Sequence, residues 1–222
     1  MTFSLVALDP TGAIGMAAAS SSPAVGARCI HLRARVGGVA SQNITDPRFG
    51  DILLEALQAG AEPGAALRKL IAADKTLPYR QIAVVDNQGR TASYSGEHAL
   101  GVHRVAEGNG AVAAGNLLAN ESVPDRMLEA YNNTGGELEG RLLAALAAGQ
   151  AAGGEQDDIR SSALAVVRDV AWRVTDLRVD WHSRPLEALR EALEIWLPQR
   201  DDYVTRALYP DKAPSYGVAG DE

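Results

Sequence analysis

Thr2 stands one residue behind the initiator methionine, and that place gives its hydroxyl a chemistry an interior threonine lacks. Methionine is commonly trimmed when the next residue is small. A threonine left first in the chain carries a nucleophilic hydroxyl and a basic amine on one residue, a known activated-nucleophile arrangement. Other polar residues fall where strands are expected to end. Ser20 closes the second apolar run and is placed to hold the Thr2 amine by a hydrogen bond, while Ser21 and Ser22 before Pro23 read as loop. Gln42 and Asn43 end a fourth strand just ahead of a helix start, and Asn116 follows Gly115 at the end of a short apolar strand. Side-chain amides and backbone N–H groups in such places stabilise a developing oxyanion. Thr2, Ser20, Gln42 and Asn116 are therefore the candidate catalytic group.

A second set would bind substrate. Arg28 in the third strand and Arg80 at the entry to a later one are cations for an anionic group, although Arg80 equally suits a surface ion pair. Asn43 joins them as a polar strand end. Asp180 and His182 are two apart, which on a strand puts them on one face. They suit a substrate rim, and they also make half of a metal site. His31, His98 and His103 show no ligand spacing to them, so no metal and no cofactor is expected. Cys29 lies in an apolar stretch as an inert core residue, and being the only cysteine it permits no internal disulfide. Gly108-Asn109-Gly110 lacks the Lys-Ser/Thr that a phosphate loop requires.

Composition narrows the classes. The 222 residues carry 28 acidic and 21 basic side chains, net -7, with no basic tract, so nucleic acid is not an expected partner. No apolar run reaches the roughly 18 residues of a membrane helix, and Asp9-Pro10-Thr11-Gly12 interrupts the start too early for a secretory signal. A cytoplasmic protein that does not engage membranes is expected.

The elements that would position these residues are legible in outline. Residues 2–8 and 13–19 read as a hairpin, apolar on both faces as for a central sheet position. Residues 26–34 and 36–42 read as third and fourth strands. Asp46-Pro47 starts a helix to Gly60, and a second helix runs over 63–73. Strands are expected at 81–86, 90–95 and 111–115, with a poor extended stretch at 102–106. Ser122 is placed to cap a helix through Tyr131, and 137–148 is another. Gly149 to Asp158 is a glycine-rich, acidic loop. Strands at 161–167 and 177–180 precede a last helix at 184–196. Helices that arrive in pairs between groups of strands suit sheets packed face to face with helices outside. The domain is set at residues 1–197, and 198–222 reads as a polar tail that is mobile or wrapped on a neighbour.

This order, opening on a hairpin led by Thr2, resembles the N-terminal nucleophile (Ntn) hydrolase architecture, an α+β four-layer αββα sandwich of two antiparallel sheets. Thr-Phe-Ser-Leu-Val-Ala at 2–7, Ala-Ala-Ala-Ser with Ala-Val-Gly within 17–26, Gly-Gly-Val-Ala-Ser-Gln at 37–42, Tyr-Arg-Gln-Ile-Ala-Val-Val-Asp at 79–86 and Gly-Asn-Leu-Leu at 115–118 resemble the domain of unknown function 1028 family. Asp176-Leu177-Arg178-Val179-Asp180 with His182 resembles it too. The resemblance spans about residues 2–197 and implies a fold more than a reaction. It also implies a departure. Proteasome-type relatives pair the nucleophile with an acid at the end of the second strand and a lysine on the third. Here the second strand ends Met16-Ala17-Ala18-Ala19-Ser20, and the third offers only Arg28 and Arg33. An arginine cannot serve as base.

The expected function is an Ntn-type amidohydrolase acting on a small amide or peptide-like substrate. The alternative is a catalytically silent fold that binds a small ligand or serves as a scaffold. Metal-assisted hydrolysis through Asp180 and His182 is a third reading. A homodimer is the expected assembly.

Overall fold

Asp9 shows how local chemistry builds the first hairpin. Its Oδ1 accepts from the Thr11 N–H at 2.8 Å, the Thr11 hydroxyl at 2.5 Å and the Ala13 N–H at 3.2 Å. This side-chain turn reverses the chain between β1 (Thr2–Leu8) and β2 (Ile14–Ser20). The computed structural model describes residues 1–218. It continues through α1 (Val25–Cys29), β3 (Ile30–Arg33), β4 (Gly37–Asn43), α2 (Arg48–Gln58), α3 (Pro63–Ala73), β5 (Arg80–Asp86) and β6 (Thr91–Ser95). Then come β7 (Arg104–Gly108), β8 (Ala111–Asn116), α4 (Val123–Asn133), α5 (Leu138–Ala151), β9 (Ser161–Val167), β10 (Arg173–Val179), α6 (Pro185–Trp196) and α7 (Arg200–Leu208).

The strands make two antiparallel sheets, one ordered β10-β9-β2-β1-β8-β7 and the other β3-β4-β5-β6. The first hairpin sits in the middle of the larger sheet, which is why both of its faces are apolar. Side chains alternate across the sheet. Phe3, Leu5 and Ala7 pack with Met127, Leu138, Leu142 and Leu189 of α4, α5 and α6. Val6, Met16, Ala18 and Val112 turn the other way and meet Ala40, Ala83 and Val85 of the smaller sheet. The outer face of that sheet, through Val39, Ile82 and Val84, is covered by Phe49, Leu53, Leu67 and Leu70 of α2 and α3. The fold is thus mixed α+β, two antiparallel sheets face to face with helices outside. Gly38 permits the close approach of the sheets. A Cβ there would lie 2.6 Å from Val6 Cγ2 and 2.9 Å from Leu32 Cδ2.

Four local expectations are corrected. The strand expected over 26–34 is a short helix, α1, followed by β3. Ala24 adopts φ 53 and its N–H donates to the Asp180 carbonyl at 2.9 Å, which starts the helical turn. Ser122 stands at the N-cap of α4, as expected, but its side chain bonds no helix N–H; its own N–H and hydroxyl both bond Asn120 Oδ1, at 2.9 and 2.6 Å. The poor stretch at 102–106 pairs with β8 as strand β7, and the strand expected at 177–180 begins at Arg173.

The segment read as a polar tail carries α7. Arg200 Nη1 binds Glu137 and the fully buried Glu139, each at 3.0 Å, and Glu139 also accepts from Arg168 and Thr175. Ion pairs to a carboxylate inside the fold hold this helix, with only Val204 reaching the core and Tyr203 stacked on Trp196. That is why hydrophobic periodicity did not reveal it.

Candidate functional site

At one end of the space between the sheets, the packing changes from apolar to polar. On β1 the inward series runs Val6, Ser4, Thr2; on β2 it runs Met16, Ala18, Ser20; on β8 it runs Val112, Ala114, Asn116. Thr2 lies directly opposite Asn116 in the β1–β8 pair, so their side chains share a face. The smaller sheet answers with Gln42 on β4 and Gln81 on β5, which are paired across that ladder. Thr2, Ser4, Ser20, Gln42, Gln81 and Asn116 are all buried.

Buried amides need partners, and these find each other. The Ser4 hydroxyl donates to Gln42 Oε1 at 2.7 Å, and Gln42 Nε2 donates to Gln81 Oε1 at 2.7 Å. Asn116 Nδ2 donates to the same Gln81 oxygen at 3.1 Å, and Gln81 Nε2 reaches the Gly115 carbonyl at 2.9 Å and Ser95 Oγ at 3.1 Å. Three of these bonds cross between the sheets: Ser4 to Gln42, Asn116 to Gln81 and Gln81 to Gly115. One atom is left over: Asn116 Oδ1 is buried without a hydrogen-bond partner.

Met1 lies at the edge of this cluster. Its carbonyl accepts from the Thr2 hydroxyl and from Ser20 Oγ, the latter at 2.5 Å. The Ser21 hydroxyl touches Met1 Sδ at 3.4 Å. The carbonyl of the Met1–Thr2 peptide therefore occupies the hydrogen-bonding reach of both candidate hydroxyls.

Glu155 borders the same place and was not anticipated. The loop after α5 returns beside the end of β8 through a bridge between Leu118 and Glu155, with Gly153 and Gly154 both at positive φ. Only glycine adopts such angles without cost. Glu155 is 5% exposed. Its Oε2 accepts the Ser21 N–H at 3.1 Å, and its Oε1 is buried without a partner. Burial raises its pKa to about 6 against the Ser21 hydrogen bond and the amino-terminal ammonium, which lower it. In the sequence it was one acid in an acidic loop. Its signal was the Gly153-Gly154 pair ahead of it.

The expected substrate-binding residues lie elsewhere. Arg28 Nη2 bonds the Pro23 carbonyl at 2.9 Å. Asn43, at φ 73, braces two loops through the Tyr79 carbonyl at 2.6 Å and the Leu100 N–H at 3.2 Å. Arg80 bonds the Ile44 carbonyl and Thr76 Oγ1 and leans on the Phe49 ring, and it makes no ion pair among the described residues. Asp180 pairs with Arg178 at 2.9 Å, and His182 Nδ1 accepts the Arg184 N–H at 3.1 Å. Both are exposed. The backbone nonetheless ties them to the site's wall: the Arg160 N–H donates to the Ser20 carbonyl, and the His182 N–H donates to the Arg160 carbonyl, each at 2.7 Å. Cys29 is buried, and desolvation pushes its thiol pKa up, as for an inert core thiol. Among the described residues, no helix is long and apolar enough to cross a membrane.

Fold and site together define an α+β sandwich of two antiparallel sheets with a buried polar cluster around its first strand. The chain belongs to the family of unknown function DUF1028, whose model matches residues 2–189. It is similar to the crystal structure of protein SPO2555 from Silicibacter pomeroyi, itself assigned to DUF1028. The identity is 31% and the TM-score 0.82, covering 99% of this chain and 96% of that one. No curated protein matches it.

Proposed function

We propose that this protein is an Ntn-type amidohydrolase whose nucleophile is Thr2, acting on a small amide or peptide-like substrate after Met1 is removed. The observation that carries the reading is the carbonyl of Met1, which already sits against the Thr2 and Ser20 hydroxyls, Thr2 being the strand partner of Asn116. It stands in for the carbonyl of an amide substrate. Removing Met1 frees the Thr2 amine and clears that carbonyl from the place.

In the mechanism, the Thr2 hydroxyl attacks the substrate carbonyl carbon. The Thr2 amine takes the hydroxyl proton, directly or through a water, and returns it to the leaving amine. Asn116 is the amide best placed for the oxyanion, because it is the strand neighbour of Thr2 and Nδ2 has a second N–H beyond the one given to Gln81. Gln42 and Gln81 hold Asn116 in place. Ser20 supports the amine. Water then hydrolyses the acyl-enzyme.

The test is turnover of a panel of small amides by protein beginning at Thr2, with trapping of an acyl adduct located by mass spectrometry. Thr2→Ala must abolish both turnover and adduct. Full activity in Thr2→Ala sinks the proposal. A second reading, a ligand-binding or scaffold protein without catalysis, is favoured by one observation: Ser4, Gln42, Gln81 and Asn116 already bond one another. Binding of a small amide without turnover by Thr2-first protein would support it.

A further inference from the structure

We infer that Glu155 is the acid that holds the Thr2 amine and sets its protonation, a role that rests on the nucleophile reading above. It is a positioning residue, and it would supply the carboxylate that the second strand does not carry.

The geometry is specific. Ser20 and Ser21 are adjacent, and each reaches one side of the junction. The Ser20 hydroxyl bonds the carbonyl that is joined to the Thr2 nitrogen, while the Ser21 N–H bonds Glu155 Oε2 at 3.1 Å. The second oxygen, Oε1, is buried and has no partner. A carboxylate oxygen taken out of water without a donor is costly, so such a group calls for a cation. The chain's own ammonium is the cation that acts on Glu155, and Asp157 opposes it. Arg160, whose backbone bonds Ser20, spends its guanidinium on Asp158 at 3.2 Å. Trimming Met1 moves the ammonium one residue along β1, about 3.8 Å between successive Cα atoms. An opposite charge within about 4–6 Å favours the protonated amine. Held by Glu155 and Ser20, the amine has a fixed direction relative to the hydroxyl on the same residue.

The test reads the amine without needing a substrate. Purified protein beginning at Thr2 is acetylated with an N-hydroxysuccinimide ester across pH 5.5–9, and the N-terminal peptide is followed by mass spectrometry. Glu155→Gln keeps an acceptor for Ser21 and removes the charge. It should lower the amine pKa and speed labelling about tenfold at pH 6.5, and Glu155→Asp should restore part of the protection. Identical profiles in folded wild-type and Glu155→Gln protein overturn the inference. If Glu155→Gln does not fold, the carboxyl of Glu155 is titrated by 13C NMR in wild-type protein before and after acetylation of the amine. Loss of the positive charge should move its titration upward, and an unmoved titration overturns the inference. The two claims fail separately. An amine governed by Glu155 in a protein that turns over no amide defeats the hydrolase reading alone. An active enzyme whose amine ignores Glu155 defeats this inference alone.

Discussion

Gln81 and Asn116 join the two sheets at the end where β1 begins: Gln81 Oε1 accepts from Asn116 Nδ2 at 3.1 Å while Gln81 Nε2 donates to the Gly115 carbonyl at 2.9 Å. The two bonds run in opposite senses between neighbouring residues of β8 and one side chain of β5. Both residues are fully buried. They fix the amide next to Thr2 more tightly than packing alone would.

Gln81→Ala strands Gln42 Nε2, Asn116 Nδ2 and the Gly115 carbonyl and leaves a cavity. It should cost about 3–5 kcal/mol in urea unfolding. Ser95→Ala, at a half-buried acceptor of the same network, should cost about 1 kcal/mol or less.

Gly38→Ala tests the spacing of the sheets. Its Cβ would lie 2.6 Å from Val6 Cγ2, so a loss of about 1–3 kcal/mol is expected from overpacking. Gly135→Ala meets nothing within 4 Å and should leave the thermal midpoint near that of wild type.

The ion-pair cluster around Glu139 makes a third prediction. Arg200→Met removes one of two guanidinium partners of this buried carboxylate and should cost about 3 kcal/mol. Residues 197–208 should become sensitive to limited proteolysis first, because α7 is held by Arg200.

The pH dependence of stability follows from Glu155, with Met1 in place. Its folded pKa is raised from 4.5 to about 6, so protonation favours the folded state. Its contribution is fully present below pH 4.5 and is lost as pH rises through about 6. Relative to wild type, Glu155→Gln should therefore gain about 2 kcal/mol in stability between pH 4.5 and pH 7. A flat difference across that range would show that Glu155 is not buried as a carboxyl.

How much of this was legible in the sequence follows from what kind of force builds each part. The first hairpin, α2, α3, α5 and α6 show plainly because their apolar patterns record burial. Thr2, Ser20, Gln42 and Asn116 stood out because polar residues ended apolar runs, and the structure brings all four to one end of the inter-sheet space. Gln81 is in the sequence only the first residue of an expected strand; nothing local says that its side-chain oxygen will join both sheets. Asn43 and Arg80 lie at strand ends too, and Arg28 in α1, but their side chains bond backbone carbonyls. Spacing along the chain does not tell that case from a substrate contact. Glu155 belongs to a loop, and its burial depends on where a distant turn returns.

The most direct test of the central claim is the intact mass of the purified native protein, with its first residue sequenced. The account predicts a chain that begins at Thr2, with the amine free. Retention of Met1 in all of the protein would contradict it, because the proposed base would then be locked in a peptide bond.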